Sequence, residues 1–246
     1  MSTLSKNRLA LIASVIVLFV GTHAGSGLAA TISKSNGAII LTEQQSGEPD
    51  LKTVNGRIAV GDGLQVGNVR TTNGSISIGE KSRAKQVRTV NGSISIDTGS
   101  TVDEVRTTNG SMRLTQVRVK GDLQTTNGSI KASDNTHVEG SVLTTNGGVY
   151  LDEASVDNDV RFANGKTVLN DSTVGGNIVV DESSHQHGWS LFGWGKNKKP
   201  VLIIGRKSIV KGDIIAHQDI ELYIHESAQV GGIEGAEAQY FKGERP

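Results

Sequence analysis

Apolar and polar residues alternate through most of this chain in short bursts that return at a nearly fixed interval. The clearest burst is RTTNGSISI at residues 70–78. Around each Asn-Gly pair much of the same pattern returns: an apolar residue four before the Asn, usually Thr two before it, and in most copies apolar residues three and five after it. In one copy these are Val69, Thr71, Ile76 and Ile78; in the next they are Val87, Thr89, Ile94 and Ile96. Alternation by two on both sides of a turn pair predicts strand, turn, strand. The Asn residues fall at Asn36, Asn55, Asn73, Asn91, Asn109, Asn127, Asn146 and Asn164, with spacings of 19, 18, 18, 18, 18, 19 and 18. A period of this kind predicts a repeat architecture. A fainter series, Val102, Val119, Val138, Val156, Val174, Val210 and Val230, adds a third short inward segment to each period.

Two architectures accommodate a single copy. Asn-Gly between alternating strands is the strongest short-range hairpin signal, so a meander of hairpins is one reading. The other is a coil in which each residue stacks on its counterpart one rung away, about 4.8 Å distant. The near-constant period decides between them, because an insertion inside a stacked rung breaks every ladder, whereas a meander tolerates drift in loop length. The expected fold is all-β: a single-stranded parallel β-solenoid (β-helix) of about ten rungs, ~50 Å long. The pattern does not specify handedness. Val and Ile columns form a narrow core, which suits β-branched side chains. The Thr column of Thr71, Thr89, Thr107, Thr125 and Thr144 points inward beside it. Asn builds an amide ladder at the corner, and Gly supplies the positive φ of the bend. Many equivalent copies are construction rather than catalysis, which needs one distinct constellation.

After Asn164 the motif fades. Val174 and Val210 are 36 residues apart, but residues 182–200 within that interval have no strand period, and setting those 19 aside leaves 17, about one rung. A loop extruded from a corner is expected there, with the rod resuming at residues 209–215 and turning at His217-Gln218-Asp219. The solenoid is thus expected over residues 31–233. Residues 234–246 are expected to form a terminal cap with a short helical turn through Tyr240 and Phe241, since an open solenoid end is an unpaired sheet edge.

The chain opens with Lys6 and Arg8, an apolar run over residues 9–20, and small residues around Gly27 and Ala30. This reads as a signal peptide over residues 1–30, cleaved after Ala29 or Ala30. The apolar run is shorter than the roughly 20 residues that cross a bilayer, so the mature chain is expected to carry no transmembrane helix. Removal of Lys6 and Arg8 leaves 23 basic against 25 acidic side chains, near balance, with no field to favour nucleic acid. Cysteine is absent, which excludes a disulfide framework and lipid attachment through an N-terminal Cys.

The recurring TTNGSISI, its 18-residue spacing and the signal peptide resemble the bacterial adhesin-type β-strand repeat family over roughly residues 36–169. The C-terminal SIVKGDIIAHQDIELYIHESAQVGGI is similar to the rungs of polymer-forming bactofilins, through the short pattern V-x-G-x-[IVL]. The first resemblance implies an exported envelope solenoid, periplasmic or at the cell surface, with a binding or structural role. The second implies end-to-end self-association. Neither implies catalytic residues or a cofactor.

Candidate binding chemistry lies off the repeat core. The excursion HQHGWSLFGWGKNKKP holds both tryptophans, Trp189 and Trp194, with Phe192 between them. Exposed aromatics among glycines suit sugar rings, protein or a lipid interface, and the same residues could fold back as a latch over the rod. His185 and His187 form a weak metal pair, joined at a distance by His225, without Cys or a carboxylate at ligand spacing. Lys196, Lys198 and Lys199 solubilise the excursion. One outward column carries Arg70, Arg88, Arg106 and Arg161, interrupted by Gln124 and Leu143. Its neighbour runs Asn68, Gln86, Glu104, Asp122, Ser141 and Asp159, leaving Arg70 and Arg88 beside neutral residues. Like charges at one-rung spacing repel, so an anionic partner is expected, such as an acidic polysaccharide of the envelope or lipid phosphate. A partial Thr row, Thr72, Thr108, Thr126 and Thr145, is broken by Val90 and Ala163, which argues against ice binding. Acidic residues are scattered over the turns and no rung concentrates them, so the chain is expected to be no enzyme of the polysaccharide lyase or hydrolase type.

Overall fold

A computed structural model describes residues 30–183, 199–244 and 246 of the chain. Every paired strand runs parallel to its neighbour, with counterparts one period apart: Val69 lies beside Val87, and Ile76 beside Ile94. Hairpins would have paired antiparallel, so the chain is a β-solenoid. One face is an 11-stranded sheet that begins at Ile39–Leu41 and ends at Ala238–Phe241. The other two faces belong to a 16-stranded sheet, because Arg83–Arg88 and Thr101–Asn109 run without a break across both. Later rungs bend between them, as at Gly121-Asp122, where Arg118–Val119 gives way to Leu123–Asn127.

The core is the line of inward residues down the axis. In the rung that contains Asn127 these are Val119, Leu123, Thr125, Ile130 and Ala132, all buried. Each β-branched or Leu side chain removed from water contributes roughly 1.5–3 kcal/mol, offset by the chain entropy lost in ordering the rung.

The polar seams do the registering. Asn55 Nδ2 donates to Asn36 Oδ1, and each later Asn donates to the one before it, through Asn164 to Asn146, at 2.7–2.9 Å. All seven bonds point the same way. Inside the corner, Thr71 Oγ1 donates to the Gly56 carbonyl at 3.0 Å, and Thr89, Thr107, Thr125 and Thr144 repeat the contact. The glycine of the corner has a different role from the one expected. Positive φ occurs in this column only at Gly37 and Gly165, at 103° and 105°, among the described residues. Elsewhere, as at Gly74, glycine is required because an added Cβ would strike the Gly56 carbonyl. The left-handed backbone lies instead at the corner that follows the 11-stranded sheet, at Lys81, Gln116, Asn135, Glu153, Asp171 and Lys207, with φ between 44° and 62°.

The excursion leaves and re-enters as the residue count expects. Thr173–Val174 pairs with Ile209–Val210, and Val201–Ile204 lies on Lys166–Asn170. At its base Gln218 Nε2 donates to both the Ala163 and the Asp181 carbonyls at 2.6 Å. The described residues form about eleven turns, against the expected ten or so. The additional turn is the segment expected as a helical cap. Ile233–Glu234 and Ala238–Phe241 pair with Ile214–Ala216 and Glu221–His225. Ala238, Gln239 and Tyr240 keep the two-residue alternation, and the strand below offers unpaired backbone, so Tyr240 and Phe241 sit in a strand rather than a helical turn.

Candidate binding face

The arginine column is real and longer than the arginines alone indicate. Lys52, Arg70, Arg88 and Arg106 occupy one register position in four consecutive rungs of the 16-stranded sheet. Lys52 stands three residues before Asn55, as Arg70 stands three before Asn73, so counting from the Asn would have found it. At rung spacing, unit charges in a water-like dielectric repel by ~1 kcal/mol per neighbouring pair. Gln124 and Leu143 follow in the column. Arg161 lies beyond them and is engaged elsewhere: its guanidinium contacts Asp181 at 2.6 Å.

Beside the cations runs a column of acceptors. Arg70 donates to Gln86 Oε1 at 2.6 Å, Gln86 reaches Glu104 at 3.4 Å, and Arg106 lies 3.6 Å from Glu104. The chain of contacts passes by Arg88, which has no ion pair or side-chain hydrogen bond among the described residues. Arg88 and Arg106 border a hollow of about 230 Å³ with Gln86, Val87 and Glu104. An open groove of about 740 Å³ adjoins it, walled by Arg70, Lys85, Asp103, Glu104 and Asp122. It lies over the two rungs whose strands run unbroken from one face to the next. Two of its charges are satisfied internally: Lys85 pairs with Glu48 at 3.0 Å and Asp103 with Lys120 at 2.9 Å. The hydrogen bond and charge of Glu48 push the Lys85 ammonium up from its usual value, so it stays charged. The groove thus mixes guanidinium donors with carboxylate and amide acceptors.

Trp189, Phe192, Trp194, His185, His187, Lys196 and Lys198 lie outside the described residues. Lys199 is described and contacts Asp219 at 3.3 Å. His225, the distant partner suggested for the histidine pair, packs edge-on against Phe241 with ring centroids 5.2 Å apart and bonds Ser227 Oγ at 2.8 Å. Among the described residues no group of three His, Cys, Asp or Glu could hold a metal ion, and no helix is long and apolar enough to cross a membrane.

The fold and site define a parallel β-solenoid with a cationic ladder on one outer face. Compared with protein-family models, curated proteins and solved structures, the chain matches none.

Proposed function

We propose that the chain is an exported, non-enzymatic β-solenoid that serves as an adhesin-like binding module of the bacterial envelope, gripping an acidic glycan along its cationic ladder. The observation that carries this reading is Arg88, a cation without a side-chain partner among the described residues, placed between Arg70 and Arg106 beside a row of acceptors. A uronate-type polymer supplies both halves of the match. Its carboxylates pair with guanidinium in charge-assisted bonds, and its hydroxyls donate to Gln86, Glu104 and Asp122. The rigid ladder lets such a ligand bind without first ordering the site. The N-terminal leader and the resemblance to adhesin-type repeats support export to the periplasm or cell surface.

The alternative, a scaffold that stacks end to end, meets an obstacle at one end. Lys34 takes the inward Thr position in the first described rung, and its ammonium donates to the Ala38 carbonyl at 2.7 Å. An inward charge is one of the devices that blunts an exposed sheet edge.

Binding to immobilised polyuronate tests the proposal. The double variant Arg88→Ala, Arg106→Ala is expected to bind about tenfold more weakly or less, with β-sheet circular dichroism unchanged, and wild-type binding is expected to fall with added salt. Equal binding of the variant, or equal binding to a neutral glucan, would refute it.

A further inference from the structure

Eight Asn-Gly pairs stand in one column, and seven share the same protection. The glycine N–H of each donates to the carbonyl of the next Asn in the stack: Gly37 to Asn55, Gly74 to Asn91, Gly110 to Asn127, and so on to Gly147 to Asn164, at 2.8–3.2 Å. In each of these pairs the Asn side-chain oxygen also accepts from the Asn above. Among the described residues the eighth pair has neither bond. The register that sets Phe162 beside Val180 continues to put Glu182 above Asn164, where the chain departs into the excursion. Among the described residues, Gly165 N–H has no acceptor and Asn164 Oδ1 has no donor. Gly165 is exposed, at a φ of 105°, and Asn164 is half-buried.

The geometry points to Asn164 as a site of spontaneous modification, the one Asn-Gly pair of the ladder whose side chain closes on the backbone in the folded protein. The chemistry is intramolecular. Gly165 N, having given its proton to solvent base, attacks Asn164 Cγ. A Cγ–N bond forms, the Cγ–Nδ2 bond breaks, and Nδ2 takes a proton from water and leaves as ammonia. Water then opens the five-membered imide at either carbonyl, leaving aspartate or isoaspartate. For the seven bonded pairs the same attack requires the glycine N–H to be pulled from its acceptor and the amide to leave the ladder, which means opening a rung. At Asn164 the glycine N–H needs no release and, of the side-chain bonds, only the one from Nδ2 to Asn146 Oδ1 must break, a bond of 2.9 Å at the ladder's end. The product carboxylate would face Asn146 Oδ1, acceptor against acceptor, and end the ladder one rung earlier.

Peptide mass mapping of the folded full chain, aged in mildly alkaline ¹⁸O-water, reads the rate at each pair. Asn164 is expected to gain the mass of amide-to-acid conversion with ¹⁸O about tenfold faster than Asn73, Asn91 or Asn109, the factor that corresponds to loosening one retained hydrogen bond. In urea all eight pairs should convert at similar rates. A rate at Asn164 no faster than at Asn91 in the folded chain overturns the inference. So does a lead at Asn164 that persists in urea, because sequence context rather than the ladder's end would then set the rate.

Discussion

The rungs up to Asn146 and those from Phe162 onward are held by different means. In the first region a thread of amides and hydroxyls runs along the corner. In the second, Phe162, Val180 and Ala216 occupy the register that Thr125 and Thr144 hold below, and all three are buried. The change reaches the outer surface as well. The outward row of the 11-stranded sheet is polar in its middle, at Ser77, Ser95, Arg113 and Lys131, and turns apolar or aromatic on the rungs around the excursion, at Tyr150, Val168, Ile203 and Tyr223, between Ile40 and Ala59 at its start and Gln239 at its end. Val179 and Ile203 are buried although they occupy outward positions. A hydrogen-bonded corner admits no insertion within itself, because that would interrupt the ladder, and the two 19-residue rungs keep their amide bonds by taking the extra residue elsewhere. An apolar corner fixes only volume. The excursion over residues 182–200 departs at the first corner after the ladder ends, where an insertion no longer breaks a row of amides.

Three substitutions probe that difference. The largest effect is expected in the apolar region: Phe162→Ala opens a cavity where a fully buried ring sat, and should cost ~3–5 kcal/mol in chemical denaturation. A loss below 1 kcal/mol would mean that the corner collapses around the gap. In the polar region Asn91→Ala removes one bond to Asn73 and one from Asn109. The corner is exposed, water replaces part of what is lost, and ~1–2 kcal/mol is expected. If Asn91→Ala proves as costly as Phe162→Ala, the ladder and not the core holds those rungs together. The smallest effect has the opposite sign. Thr167 stands inward beside Leu202, in the apolar column above Val149, and its Oγ1 is buried with no hydrogen-bond partner among the described residues. Thr167→Val keeps the shape and removes the unpaired hydroxyl, so the unfolding free energy from chemical denaturation should rise by ~1 kcal/mol.

The period made the fold readable. One Asn-Gly column with spacings of 18 or 19 residues fixed the stacking, the inward Thr row and the exit of the excursion. The left-handed corner was not readable, because Lys81, Gln116 and Glu153 are residues that ordinarily avoid that conformation. In a stacked coil the inter-rung bonds impose it: Lys81 N–H donates to the Thr98 carbonyl and Glu153 N–H to the Asn170 carbonyl, so backbone pairing outweighs the local preference. The candidate binding face was half readable. The arginines declared themselves by register, whereas the gap in side-chain partners at Arg88 depends on where Gln86 and Glu104 place their ends, which spacing alone does not give.

The parallel stacking also sets how the rod would answer a pull between its ends. Tension applied at a terminal rung loads that rung's bonds to its neighbour and spares those further along. The coil would therefore peel one turn at a time instead of shearing as a block. Each turn adds only about 4.8 Å to the rod's height, yet about 18 freed residues pay out ~60 Å of chain. A module built this way is a reel, short at rest, with more than tenfold extension stored in each turn.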